Sequence, residues 1–519
     1  MRHIFRLFVW LSVLLLSVSC IESPKAELRS VLVEQELIVL PVNGCDTVYF
    51  SVEEPEVEID LDHDVVLYLA KGQALLSSDF TLTRVERTET PGRYRAIVSD
   101  LGRSDDYESA VRLGVRVSSE ILILSAPFLC RGEYAGPLGP VRKTGLPVLY
   151  LDTEGSAAIH SKTDYVNATL TVPAEGEAAA SELACQVRGR GNTTWGWPKK
   201  PYLVKLDKKA SLFGMPAHKR WILLANFMDR TLMRNLVAMK VSSMTSLDWT
   251  PRCQSVELVL NGVHQGTYLL IEQVRVDKNR VNVGDDGYLI ESDFHFDNEI
   301  QWMDPHGRCN EMSGGIPFGI KNPDPDDIAP DQVQYAKDYI SHVASVLYGP
   351  NFTDPSNGYA ACIDVDSFID YWIVFEVMGN HELGNPGSVF YHFKPGGKIM
   401  AGPCWDFDWG VLSYQFNPQA RKGLLNRNAC WYARLFDDPA FRSKVRVRFQ
   451  ELLPALQTIP AYIDAMEKTL ERSAELNFKR WNPAQDGMIN GDENMTFHDA
   501  VVRLRGIYEE RLSVIQKNL

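Results

Sequence analysis

Apolar and polar positions alternate with period two from about Ala26 to Cys130, and this alternation predicts a unit built from strands. Val31–Val33, Thr47–Val52, Val65–Leu69, Tyr94–Val98 and Val111–Val117 read as strands. Polar turns separate them, with Pro91-Gly92 and Gly102 as breakers, at the spacing of a sandwich. The expectation for residues 26–131 is an immunoglobulin-like β-sandwich. Residues 132–147 carry four Gly and three Pro and read as a linker.

From Leu146 the pattern changes. Leu146–Leu151, Val166–Val172, Pro201–Leu206 and Tyr288–Asp293 read as strands, and Gly319–Pro323 closes another. Asn261-Gly262 joins the apolar runs Val256–Leu260 and Gly266–Glu272, a strong hairpin signal. Asp229 reads as the N-cap of a helix from about Arg230 to Met244, which carries Arg234 and Asn235. Beyond Asp331 the period becomes 3.6, predicting helices over Asp331–Leu347, Asp366–Met378, Pro439–Leu453, Tyr462–Leu476 and Phe497–Lys517. This tail shows no chemistry of its own. The fold class is α+β.

The N-terminus changes the picture of location. Arg2, His3 and Arg6 precede an apolar run from Leu7 to Val18, too short to span a membrane. Leu16-Ser17-Val18-Ser19-Cys20 resembles a bacterial lipobox, so residues 1–20 read as a signal peptide with Cys20 as the lipidated residue. The alternative is an ordinary secretory signal cut near Ser19. A lipidated protein is anchored to a membrane rather than spanning it, which places it in the bacterial cell envelope, on the outer membrane or cell surface. The net charge of −14 over 519 residues argues against a nucleic-acid partner, and the length suits two or three domains. Besides Cys20, eight Cys are scattered singly without Cys-x-x-Cys; zinc is not expected, and no disulfide pairing can be read from the spacing.

The chemistry concentrates in Trp405-Asp406-Phe407-Asp408-Trp409-Gly410. Read as a strand, it puts Asp406 and Asp408 on one face and the three aromatic residues on the other. Paired carboxylates repel unless a cation or donor lies between them, and hard oxygen ligands suit Mg²⁺, Mn²⁺ or Ca²⁺. The bland alternative is a buried aromatic strand whose Asp residues cap a turn. Upstream lie Asn380, His381 and Glu382, followed by Ser388 and Tyr391. Arg188-Gly189-Arg190-Gly191-Asn192 would suit an anion, since backbone N–H groups approach closely and guanidinium forks match phosphate oxygens, although a bare Gly-x-Gly is weak evidence and a plain turn is the more ordinary reading. Lys205 lies in an apolar strand and needs a partner or an edge position.

These segments fall in one order. Arg188–Thr194 with Lys199-Lys200-Pro201-Tyr202 and Lys205, then Leu223–Asp229 with Arg234-Asn235, resemble the opening of the CotH family, the spore-coat protein H kinases. The hairpin Glu257–Glu272, Tyr288–Glu291 and Trp405–Gly410 complete the resemblance, which covers roughly Leu146 to Leu519 and leaves out the N-terminal region. It implies an atypical protein-kinase-like domain over 148–519 that binds ATP with a divalent metal, Mg or Mn with Ca as an alternative, and phosphorylates Ser or Thr of surface proteins. It implies Asp406 and Asp408 as metal ligands and assigns Arg188, Arg190 and Lys205 to the phosphates. Glu272 would pair with Lys205, and Glu382 or His381 would receive the substrate proton. The family pattern upstream is Asn, then Asp, then Asn, whereas this chain has Asn380, Glu382 and Ser388. That departure keeps a second reading open: a non-catalytic surface-binding or adhesion lipoprotein on a kinase-like scaffold. A metal-dependent glycosyl transferase is the third, since Asp-x-Asp serves there too, but no Rossmann-like opening accompanies it.

Overall fold

The computed structural model describes residues 30–40, 45–53, 58–69, 80–100, 108–117, 122–132, 144–173, 181–295, 298–307, 309 and 314–519. Cys20 and residues 133–143 of the expected linker lie outside the described residues. The chain divides into two compact units, residues 1–143 and 144–519.

The described residues of the first unit form strands and their connections. One sheet has the order β1 (Val31–Val33), β3 (Cys45–Val52), β6 (Arg93–Asp100) and β5 (Phe80–Arg87). A second has β2 (Leu37–Leu40), β9 (Phe128–Gly132), β7 (Glu108–Arg116) and β4 (Val65–Leu69), with β8 (Leu122–Leu124) on β7. Alternation buries Val48, Phe50, Tyr94, Ala96 and Val98 from the first sheet and Val111, Leu113 and Val115 from the second, in one shared core.

The second unit opens with a closed seven-stranded barrel in the order β10 (Val148–Thr153), β11 (Val166–Val172), β12 (Ser181–Gly189), β13 (Tyr202–Leu212), β14 (Met215–Leu224), β16 (Val263–Glu272) and β15 (Cys253–Leu260). A parallel pairing of β10 with β15 closes it. Asn261 and Gly262 turn β15 into β16 with φ of 50° and 75°, the left-handed pair that a two-residue hairpin requires. Alternation sorts the strands' two faces. Val187, Tyr202, Val204, Leu206, Trp221 and Leu223 fill the barrel, while Ile222, Leu224 and Ile271 pack into the larger core beyond it. Arg188, Lys205 and Arg220 therefore stand on the outer face.

That larger core belongs to the sheet β18 (Gln301–Asp304), β19 (Ile316–Asn322), β17 (Tyr288–Ser292), β20 (Val389–Phe393) and β21 (Met400–Ala401) together with helices. The helices are α1 (Thr193–Gly196), α2 (Arg234–Ser242), α3 (Pro330–Tyr348), α4 (Tyr359–Cys362), α5 (Val365–Met378), α6 (Cys430–Leu435), α7 (Pro439–Leu456), α8 (Ile459–Arg480) and α9 (Phe497–Asn518). At the centre is α5, with every residue from Ser367 to Met378 buried. The Asp364 carboxylate caps its N-terminus by accepting from Ser367 N, and Gly379 ends it in the left-handed conformation at φ 61°. The whole chain is α+β. A disulfide joins Cys309 to Cys430 across 121 residues. No helix among the described residues is long and apolar enough to cross a membrane.

Two local expectations are corrected. The helix expected from Arg230 begins at Arg234, and Asp229 works one turn earlier: its carboxylate accepts from Thr231 N at 3.0 Å and Arg234 N at 2.8 Å. The stretch Trp405–Gly410 is not a strand. β21 ends at Ala401, Pro403 offers no N–H to continue a ladder, and Asp406 has a φ of 63°. Trp405 and Phe407 are still buried, but Trp409 is only half-buried.

Candidate active site

A cleft partly open to solvent is walled by Trp197, Phe227 and Ile489 on its apolar side and by Arg190, Asp406 and Asp408 on its charged side. Arg190 is delivered by the end of β12. Its N–H donates to Pro201 O at 3.2 Å. The turn around it is built on glycine: a Cβ on Gly189 would lie 2.4 Å from the Trp195 ring, and Gly191 has a φ of 86° with Thr194 Oγ1 where its Cβ would go. Gly189→Ala is expected to destabilise the barrel by about 1–3 kcal/mol through overpacking and to displace Arg190. A melting curve with an unchanged midpoint would contradict this.

The two carboxylates sit on an irregular loop that neighbours hold in place. Phe407 N donates to Asn235 Oδ1 at 2.7 Å, and Asn235 Nδ2 donates to Asp408 Oδ2 at 3.2 Å, so one amide of α2 fixes both the backbone and the acid. Arg234 Nε donates to Val411 O at 2.8 Å. From the C-terminal region, Asn490 accepts from Gly410 N at 3.0 Å and donates to Asp408 O at 3.2 Å and Met228 O at 3.1 Å. The Glu493 carboxylate in turn accepts from the N–H groups of Ile489, Asn490 and Gly491. The tail, read from sequence as free of chemistry, thus supplies part of the clamp.

Below the loop, Arg234 is held between Asp229 and Asp492, all three about 1% exposed. Lys199, fully buried, donates to Ala225 O and Asn477 Oδ1 at 2.8 Å each and to Thr267 O, which ties the cleft wall to the barrel and α8. Burial pulls this ammonium down to about 7.

Burial and mutual repulsion raise the acids of the cleft. Desolvation raises Asp408 to about 8, with repulsion from Asp406 and Asp229 adding to it. Desolvation also raises Asp406, while Arg190 opposes the shift. Glu382 is pushed well above the usual carboxylate range by burial and then by Asp406 and Asp408. Arg190 is drawn below its usual value by desolvation, against the pull of Asp406, Asp408 and Glu291.

The residues singled out in the sequence divide accordingly. Arg190, Asp406 and Asp408 line the cleft, and Glu382 feels the charge of both acids. Asn380, at the end of α5, holds Glu382 by accepting from its N–H at 2.9 Å and donating to its Oε2 at 3.3 Å. His381 packs against Phe416, ring centroids 5.1 Å apart. Arg188 and Lys205 do not line the cleft; they flank Tyr165 on the outer barrel face. The expected Lys205–Glu272 ion pair does not form: Arg252 Nε lies 2.8 Å and Arg280 Nε 3.8 Å from the buried Glu272 carboxylate, while Lys205 stands across the strand from Arg220. Asn490, Asp492 and Lys199 were missed as site residues. Their only sequence signals were the turn glycines Gly487 and Gly491 and the Lys199-Lys200 pair.

Among the described residues, no three His, Cys, Asp or Glu side chains come together closely enough to hold a metal by themselves. A pair of carboxylates in a cleft is the donor set that a divalent cation shares with phosphate oxygens. The family model described as CotH kinase protein matches residues 187–515, well over half of the chain, and the chain belongs to the CotH family. No curated protein matches it.

Proposed function

We propose that residues 144–519 form a kinase-like domain that binds a nucleotide triphosphate with Mg²⁺ or Mn²⁺ in the cleft and transfers phosphate to Ser or Thr of surface proteins. The carrying observation is the half-buried Asp406/Asp408 pair, raised by desolvation and repulsion, facing Arg190 in a cleft with aromatic walls. The donor set fits a divalent cation. When bound, such a cation would neutralise charge on a phosphoryl group. Asp406 and Asp408 would hold it, Arg190 would face the phosphate oxygens, and Trp197 and Phe227, stacked with centroids 6.0 Å apart, offer flat apolar surface to a base.

With the repulsion from Asp406 and Asp408 offset, Glu382 ionises more readily and can take the proton of a hydroxyl, oriented by Asn380. Without that offset burial and repulsion favour its protonated form, which makes it a poorer base and suits the second reading, a surface-binding lipoprotein on a kinase-like scaffold. Under either reading the first unit serves as an immunoglobulin-like spacer and Cys20 as the lipid anchor in the cell envelope. The Cys309–Cys430 disulfide supports a location outside the reducing cytoplasm.

The full chain incubated with γ-labelled ATP, Mn²⁺ and envelope proteins is expected to label a protein hydroxyl. Glu382→Gln should cut the rate by a factor of about 10²–10⁴, the usual contribution of a general base. ATP binding without any labelling would contradict transfer and favour the second reading.

A further inference from the structure

We propose that the outer face of the barrel carries a second anion site, built by Arg188, Lys205, Arg220 and Tyr165, that takes an oligophosphate. Lys205 on β13 and Arg220 on β14 are direct cross-strand partners. Arg188, on β12, lies two positions along from Gln186, the partner of Lys205, so it is the diagonal neighbour on the same face. Tyr165, just before β11, is the centre of the group. Arg220 Nη1 donates to its hydroxyl at 3.0 Å, and the Arg188 guanidinium and Lys205 ammonium lie 5.2 and 5.6 Å from its ring centroid.

All three cations are half-buried, and among the described residues none forms an ion pair with a carboxylate. The buried Nε of Arg188 has no hydrogen-bond partner. Arg275, a further cation that feels Arg220, is engaged by the Asp324 carboxylate at 3.2 Å.

Like charges directly opposed across strands destabilise a sheet, and a buried donor without an acceptor adds to the cost. Nothing in the fold requires this arrangement: the opposite face of the same strands is ordinary barrel core. The missing component is negative charge with several acceptor oxygens. Guanidinium forks match phosphate geometry, and three separated cations suit linked phosphates better than one carboxylate. The phenol of Tyr165, which the two Arg hold below its ordinary value, reports the same excess of positive charge. Neither Lys205 nor Arg220 lines the cleft, so the inference does not depend on the reading of Asp406 and Asp408.

The test is calorimetric titration of the full chain in EDTA with tripolyphosphate, repeated with Lys205→Gln, Arg220→Gln and Asp408→Asn. The expected result is saturable binding by wild type and Asp408→Asn, and at least tenfold weaker binding by the other two. An ATP arm identifies the source: affinity equal to tripolyphosphate means that the phosphates alone are recognised, and tighter ATP binding means that the nucleoside contributes. In the absence of anion, Lys205→Gln should melt above wild type, since it relieves repulsion; a purely structural lysine would give the reverse. Tyrosinate absorbance supplies an independent readout, because bound anion should shift the Tyr165 titration to higher pH in wild type. Absence of binding by wild type overturns the proposal. So does wild-type affinity in Arg220→Gln, and so does clearly tighter binding by Asp408→Asn, because deleting a carboxylate from the cation-free cleft would strengthen an anion held there.

Discussion

Asp408→Asn is expected to make the cation-free protein more stable than wild type at pH 8, with the advantage shrinking as the pH falls toward 4. A carboxyl raised in the folded state favours the protonated form. Its fold is most stable below the unfolded value near 4 and loses stability as the pH climbs through about 8. At about 1.4 kcal/mol per unit, and with the repulsion shared with Asp406, the variant should gain roughly 2–4 kcal/mol at pH 8. Asparagine keeps the shape and can still accept from Asn235. The loop is held through Phe407 N, Gly410 N and Val411 O, none of which needs the charge. Melting curves in EDTA from pH 5 to 8.5 check this. A variant that melts below wild type throughout would mean that Asp408 serves the fold.

Arg234→Met is expected to be among the most damaging single changes in the chain. It leaves Asp229 and Asp492 buried without their shared cation, and breaking such a pair costs about 3–5 kcal/mol. It also removes the donor to Val411 O, so the loop bearing Asp406 and Asp408 should loosen together with the loss of stability. Arg234→Lys should not restore the protein, because one ammonium cannot reach two carboxylates and a carbonyl in the geometry of the guanidinium fork. Adding Asp492→Asn to Arg234→Met should recover part of the loss by removing one stranded charge. If Arg234→Met melts within a degree or two of wild type, the buried triad carries little of the stability of this region.

Much of the fold was legible because burial imposes a period. The alternation in Tyr202–Leu206 marks a barrel strand, and the apolar periodicity of α5 marks a core helix. The Asn261-Gly262 turn is dictated locally, because few residue pairs tolerate two left-handed conformations in succession. The site was legible only as residue types. Asp406 and Asp408 were recognisable, but not the left-handed backbone at Asp406 that Pro403 and the Asn235 and Asn490 clamps impose. Those clamps come from positions more than 80 or 170 residues away in the chain. No local pattern encodes them, and the same holds for the partners of Lys199 and Glu272. Lys205 shows the limit from the other side. Its type suggested a Lys–Glu pair, but the register set it against Arg220 instead.

We propose Asp406 and Asp408 as a cation site for a bound nucleotide. The most direct test is the melting curve of the full chain at pH 8 in EDTA, Mg²⁺, Mn²⁺ or Ca²⁺, each with and without ATP, for wild type and Asp408→Asn. A ligand that binds only the folded state stabilises it by mass action, by about 2.7 kcal/mol at one hundred times its dissociation constant. The account predicts that Mg²⁺ or Mn²⁺ raises the wild-type midpoint, that ATP with the cation raises it further than either alone, and that Asp408→Asn loses the cation-dependent part. Wild-type curves that do not move with any cation, with or without ATP, would contradict it.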